Sequence, residues 1–284
     1  MRPFPVRPPI PDSPEFNRLL LGDEDADLTR IALELARDAD PDLDPASCLD
    51  RIASLSRRIG PRLPSQSGTE DALRQINWVL YVEERFSGNE DDYDDPRNSY
   101  LNEVLRRRTG IPISLAVLYR AVALGVGVTL HGVNLPAHFV LRADRDDGPP
   151  VFIDAFHGGA LLDRDGCRRL ISSRSGGRIE LDDALFEPCA TSDIVARMLR
   201  NLKAVYLDRG ELAAAWPVLR RLVALRPGEP EHRRDLGIAS LAVERPEEAV
   251  AQLSAYLEQV PQASDSPAIR SILREARRRS GRSS

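Results

Sequence analysis

Gly110-Ile111-Pro112-Ile113-Ser114-Leu115-Ala116-Val117-Leu118-Tyr119, then Leu135-Pro136-Ala137-His138-Phe139-Val140-Leu141, then Val151-Phe152-Ile153-Asp154: these three stretches decide the fold. The first suits a helix start, because proline at the first helical position has the right backbone angle and needs no amide partner there. The other two are short apolar runs bounded by turn residues, which is how buried strands read. The turn Asp144-Arg145-Asp146-Asp147-Gly148 joins them as an antiparallel pair. His138 then starts one strand and Asp154 ends the next, so ring and carboxylate are expected on one face. A carboxylate that orients an imidazole, beside a helix N-terminus whose dipole favours an anion, is the layout of nucleophilic hydrolysis.

Together with Asp94-Asp95-Pro96-Arg97-Asn98-Ser99-Tyr100-Leu101-Asn102 ahead of them and Phe156-His157-Gly158-Gly159 behind, these residues resemble the SirB-type branch of the transglutaminase-like superfamily. Members of that branch often carry C-terminal tetratricopeptide repeats. The resemblance implies a papain-like order of helix, histidine strand and aspartate strand, with a cysteine in the first turn of the helix. It also implies the place of that cysteine, two residues after a glycine and four before an alanine. Laid on Gly110 and Ala116, the register puts Pro112 there. Proline offers neither a nucleophile nor a donor N–H.

Ser114 is the nearest hydroxyl, but two helical steps turn it by about 200° from position 112. It reads as a polar residue satisfying a free amide at the helix start, with a serine nucleophile as the alternative. His138 and Asp154 read either as a general base with its orienting carboxylate or as a hydrogen-bonded pair that holds two strands in register. The missing thiol favours the second reading. His131 and His157 lie near the same sheet, yet their spacing is not that of a metal site, and neither metal nor cofactor is expected. Cys48, Cys167 and Cys189 read as small core residues.

A chain of 284 residues with 42% hydrophobic content has room for two domains with real cores. Its net charge of -5 argues against general nucleic-acid binding. Only Arg274 to Arg282 is locally basic, as a solvated helix end and tail. Three irregularly spaced cysteines suggest a reducing interior instead of a disulfide framework. The proline-rich start, Met1 to Pro11, cannot form a signal-peptide helix and is expected to be extended or disordered. No apolar run reaches the roughly 18 to 20 residues that span a bilayer, so no membrane association and a cytoplasmic location are expected. The acidic run Glu90-Asp91-Asp92-Tyr93-Asp94-Asp95 lacks the glycine and closing glutamate of a calcium loop and reads as solvated.

Helical spacing runs from Glu15 to Ile59, interrupted by Asp40 to Pro45, where Asp44 is the candidate N-cap of a helix begun by Pro45. A further helix is expected from Thr69 to Phe86, burying Leu73, Ile76, Leu80 and either Trp78 or Tyr81, and another near Tyr100 to Arg107. Strands are expected near Val128 to Val133, His138 to Ala143 and Val151 to Ala155. A short helix runs from Asp163 to about Ile171, and a break at Ser172 to Gly177 precedes Arg178-Ile179-Glu180-Leu181. From Ser192 the pattern repeats. Leu202 aligns with Leu236, Ala215 with Ala249, Leu219 with Leu253 and Pro227 with Pro261, all at an offset of 34 residues, the tetratricopeptide period. Two such units leave apolar ends, which the helix from Asp193 and a capping helix opened by Ser266-Pro267 are expected to cover.

The expected architecture is α+β and mainly helical: a papain/transglutaminase-like core of one helix on a small antiparallel sheet, followed by an all-α repeat domain. The segments are 1–14 (Pro-rich), 15–191 (helical region and core), 192–279 (repeats with cap) and 280–284 (tail). The expected function is that of a non-catalytic adaptor, a pseudoenzyme that binds a protein or peptide partner through its repeat helices. The alternative is a hydrolase or acyl transferase acting on amide bonds through His138 and Asp154, with Ser114 or an unforeseen cysteine attacking.

Overall fold

Short acidic side chains set the starts of the early helices. In the computed structural model, which describes residues 9–63, 68–145, 148–175 and 182–281, α1 (Pro14–Leu20) precedes α2 (Leu28–Ala36) and α3 (Pro45–Ile59). The Asp27 carboxylate accepts from the N–H groups of Thr29 and Arg30, and that of Asp44 from Ala46 and Ser47. Each such cap contributes about 1 kcal/mol. The proline-rich residues ahead of position 9, the stretch Arg178 to Leu181 and the last three residues lie outside the described part of the chain.

α4 (Thr69–Asn77) does not run on to Phe86 as one α-helix. It widens into a π-turn at Trp78–Glu83. Leu73, Ile76, Val79 and Leu80 are buried, while Trp78 and Val82 are left 51% and 52% exposed. Of the two aromatic candidates for the core, Trp78 therefore stays outside, and Tyr81 points inward. Next come β1 (Ser87–Gly88), α5 (Leu101–Arg107), β2 (Thr109–Gly110), which pairs parallel with β1, and α6 (Pro112–Leu124). α6 is apolar on nearly every face, and every residue from Pro112 to Tyr119 is buried, which marks it as the core helix.

The sheet is antiparallel in the order β3 (His131–Val133), β4 (Val140–Ala143), β5 (Val151–Asp154), β6 (Ala160–Leu162). β3 begins at His131, not Val128. β4 begins two residues after His138, because Ala137 adopts a left-handed backbone (φ 54°) and His138 N–H bonds the Leu135 carbonyl in a turn. β6 was not legible in the sequence. α7 (Arg164–Ser175) extends past Ile171, and Asp163 Oδ1 accepts from Gly166 N–H at its start. Val133, Val140, Phe152, Cys167, Ile171 and Phe186 form the core on one side of the sheet.

The remaining helices are α8 (Thr191–Asp208), α9 (Leu212–Leu225), α10 (Pro230–Ala242), α11 (Pro246–Gln259) and α12 (Ser266–Ser280). By contacts the chain forms two compact units, Asp23–Met198 and Met1–Gly22 with Leu199–Ser284. The boundary thus falls inside α8, and α1 belongs with the C-terminal helices. Arg221 accounts for that grouping: it donates to Ser13 Oγ at 3.0 Å and lies 5.0 Å above the Phe16 ring.

Within the C-terminal unit α9 and α11 start at the same repeat position, and Ala215 and Ala249 at their packing faces are fully buried. α10 and α11 touch at Gly237, where a Cβ would lie 2.5 Å from the Leu253 side chain. α12 closes the stack by laying Ile269 and Leu273 on Leu253, Tyr256 and Leu257.

One polar network is buried among these helices. Lys203 Nζ lies 2.6 Å from Asp235 Oδ2 and 3.0 Å from His232 Nδ1, and His232 Nε2 is 2.8 Å from Glu229 Oε2. Burial and the Lys203 ammonium push His232 below its ordinary pKa, against a weaker opposing pull from Glu229. An unfolded histidine takes up its proton near pH 6.5, whereas the folded one resists it, so this stability is present above that pH and lost as pH falls. The melting temperature should drop between about pH 7 and pH 5, and more shallowly in His232→Gln. Parallel slopes in the two proteins would show that His232 is not a source of the acid sensitivity.

Candidate functional site

The site is built on one buried carboxylate. Asp154 closes β5 and is 1% exposed. Its Oδ1 lies 2.9 Å from His138 Nε2 and accepts from the N–H groups of Phe156 (3.1 Å) and His157 (3.3 Å), while Oδ2 lies 2.6 Å from His157 Nδ1. Burial alone would raise the carboxyl pKa, but the bonds and charges from His138 and His157 outweigh it, and Asp154 sits below the usual carboxylate value. An ionised carboxylate can only accept hydrogen bonds, so both rings turn an N–H toward it. In the neutral His138 ring the lone pair is then on Nδ1, which is buried and has no partner among the described residues. The two imidazoles stack with centroids 5.8 Å apart, and Phe156 meets both edge-on.

A second set of residues holds the turn that carries this constellation. Tyr81 Oη donates to the Ala155 carbonyl (2.8 Å) and Asn77 Nδ2 to the Gly159 carbonyl (2.8 Å); Tyr119 Oη in turn donates to Asn77 Oδ1 (2.9 Å). Gly159 is left-handed (φ 73°), and a Cβ there would lie 2.0 Å from Asn77 Oδ1. Only glycine fits. α6 packs on β4 and on the Ala155–His157 turn.

At the start of α6, Pro112 occupies the first helical position after Ile111. Ser114 Oγ accepts from the Ile111 N–H (3.1 Å) and donates to the Asn98 carbonyl at 2.6 Å, with the Ile111 carbonyl at 3.1 Å. Its hydroxyl is thus engaged by backbone, and no hydrogen bond joins it to His138. Cys167 lies in the sheet core with its thiol pushed up to about 12 by burial, and Cys189, pushed up to about 11 by burial, donates to the Gly132 carbonyl. Burial raises Cys48 as well, with Asp44 and Asp40 adding to it.

The ligand atoms of His138, Asp154 and His157 lie within 4.8 Å of one another, close enough to be weighed as a metal site. A metal on His138 Nε2 would move the ring proton to Nδ1, where a bound imidazole needs an acceptor and this one faces none. The trio suits a hydrogen-bonded carboxylate better. His131 stands apart from the trio, in register with Arg142.

Residues 46–200 match the transglutaminase-like superfamily, and residues 202–274 match a tetratricopeptide repeat. A UPF0162 protein of Xylella fastidiosa (strain 9a5c) is 37% identical over 252 residues, 87% of this chain and 89% of that one. The chain belongs to the SirB-type, UPF0162 family of the transglutaminase-like superfamily. A UPF0162 protein of Pseudomonas aeruginosa is 30% identical over 220 residues, 77% of this chain and 79% of its own. F-box only protein 21 of Homo sapiens is 38% identical over 176 residues, 55% of this chain but 27% of that protein. This UPF0162 chain thus combines a mainly helical α+β core with C-terminal repeat helices.

Sequence reasoning paired His138 with Asp154 but passed over His157 as a second partner of the carboxylate, and over Asn77, Tyr81 and Tyr119 as the clamp. The Gly158-Gly159 pair directly after His157 was the available signal of a constrained turn. Asp154→Ala would strand the His138 N–H and two backbone N–H groups in a buried space. The expected loss is about 3 kcal/mol or more in urea unfolding, against about 1 kcal/mol for His157→Gln at the half-exposed ring. Equal, small losses would show that the carboxylate does not organise the turn.

Proposed function

We propose that this UPF0162 chain is a non-catalytic adaptor, which binds a protein or peptide partner through its tetratricopeptide helices while the transglutaminase-like unit serves as a fixed, inactive scaffold. The observation that carries the reading is the start of α6. Pro112 supplies no nucleophile, and the Ser114 hydroxyl is bound to the Asn98 carbonyl. The three thiols, all shifted toward the protonated form, reinforce it, since the thiolate is the nucleophile. Stacked helical pairs present an extended surface suited to peptides. The core also recurs as about a quarter of human F-box only protein 21, which fits a module combined with different surroundings.

One observation favours a second reading, a hydrolase. His138 Nδ1 has no partner among the described residues while Nε2 faces the carboxylate, and in a neutral ring that nitrogen can take a proton from water or from Ser114. Two measurements separate the readings. Purified protein given a panel of amide and ester substrates, with cysteine-hydrolase probes alongside, should match His138→Ala in turnover and stay unlabelled at neutral pH. Pull-down followed by mass spectrometry should recover a partner that His138→Ala retains and Arg200→Glu, a charge reversal on α8, weakens. Turnover lost in His138→Ala would establish the hydrolase and overturn the adaptor.

A further inference from the structure

Two surfaces of opposite charge lie on the Asp23–Met198 unit and border the site above: Tyr93 of the acidic one meets the Phe156 ring edge-on at 6.2 Å, and Glu90 Oε1 lies 3.8 Å from His157 Nε2. The first is basic and apolar. Glu84, 6% exposed, receives Arg51 at 2.6 Å, Arg108 at 3.3 Å and also Arg58. Its neighbour Glu83 receives Arg58, Arg62 at 2.5 Å and the Trp78 indole N–H at 3.1 Å. Four guanidinium groups on two carboxylates leave a surplus of two positive charges. Trp78 and Val82 stand exposed one turn apart on the same π-turn. A π-turn is an uncommon and costly element that recurs at functional places, and here it holds an indole out of the core beside unspent positive charge. Aromatic residues and arginine are the side chains most enriched at protein interfaces.

The second surface is the run Glu90-Asp91-Asp92-Tyr93-Asp94. All five residues are exposed, with Tyr93 42% exposed among them. Its backbone is held in shape: Asn98 Nδ2 donates to the carbonyls of Asp92 (2.7 Å) and Tyr93 (3.2 Å), and Asn89 Oδ1 accepts from Asp92 N–H (3.1 Å). A preformed loop loses little entropy on docking.

We propose that the Trp78/Val82 face receives the Glu90–Asp94 loop of a second copy of this chain. Every copy carries both surfaces, so a two-fold arrangement lets each copy give its loop and take its partner's, and that closed dimer is the assembly proposed. The acidic side chains meet the surplus arginine charge, and the exposed edge of Tyr93, whose ring already packs on Phe156 of its own chain, meets the exposed indole. Opposite potentials of this kind set register and orientation.

Sedimentation of the full chain tests this. A dimer should form as concentration rises through the micromolar range at low salt and weaken by about tenfold or more between roughly 50 and 500 mM NaCl. Arg62→Glu alone and Asp91→Arg/Asp92→Arg alone should each be monomeric with unchanged circular dichroism melts, since Arg62 and both aspartates lie at the surface. Mixed together they should form a heterodimer weaker than the wild-type dimer, because one of its two contacts then joins the unaltered arginine face of one variant to the unaltered acidic loop of the other, while the second contact is near neutral on both sides. Three results would overturn the proposal: a wild type monomeric throughout, a dimer indifferent to both reversals, or a mixture that stays monomeric. A monomer that binds the synthetic peptide Glu-Asp-Asp-Tyr-Asp in a manner lost in Arg62→Glu would overturn the second copy as occupant and assign the face to an acidic segment of another protein.

Discussion

One buried carboxylate organises the transglutaminase-like unit. Removing an ionised Asp154 from water costs several kcal/mol unless its oxygens are fully engaged, and four donors engage them: two ring N–H groups and two backbone N–H groups. The backbone pair fixes the turn after β5, and that turn requires left-handed residues at Gly158 and Gly159. Tyr81 and Asn77, one from the π-turn and one from the helix before it, then bind the same turn from outside. The unusual turn at Trp78 and the geometry of His138 are in this way parts of one arrangement.

Opposite that arrangement, the start of α6 is satisfied without any reactive group. Gly110 comes so close to the helix that a Cβ would lie 2.7 Å from Ser114 Oγ. That closeness lets the serine reach the Ile111 N–H and the Asn98 carbonyl together. A hydroxyl in this position completes the hydrogen bonding of a helix end. No thiol stands at the start of α6, where Pro112 lies, while His138 keeps its bond to Asp154 and an Nδ1 with no partner among the described residues. An orphaned buried acceptor of this kind costs on the order of 1–3 kcal/mol, a cost offset by the ring's packing against Phe156 and its bond to Asp154.

Much of the architecture could be read from local signals. The Asp44-Pro45 helix start follows from side-chain capping, the repeat helices from an offset of 34 residues, and the pairing of His138 with Asp154 from a short turn between apolar runs. What escaped depends on groups far apart in the chain. Apolar periodicity leaves Trp78 and Tyr81 as alternatives for the core, and only the π-turn, stabilised by contacts with residues some 75 positions later, decides for Tyr81 and turns Trp78 out. His138 precedes its strand because Ala137 is left-handed, a conformation with no sequence marker at alanine. α1 reads as part of the helices that follow it, and its partner Arg221 is 208 residues from Ser13. The bond of His157 to Asp154 is not legible in the sequence because it depends on the tight turn between them.

The central claim is that the Asp154 carboxylate, and no nucleophile, determines the state of His138. Imidazole 15N NMR of the folded protein reports it directly. At a pH where the ring is neutral, His138 should be the Nε2–H tautomer, and its two nitrogen shifts should be unchanged in Ser114→Ala. An Nδ1–H tautomer, or a clear movement of the Nδ1 shift when the Ser114 hydroxyl is removed, would place a working partner on that nitrogen and contradict the account.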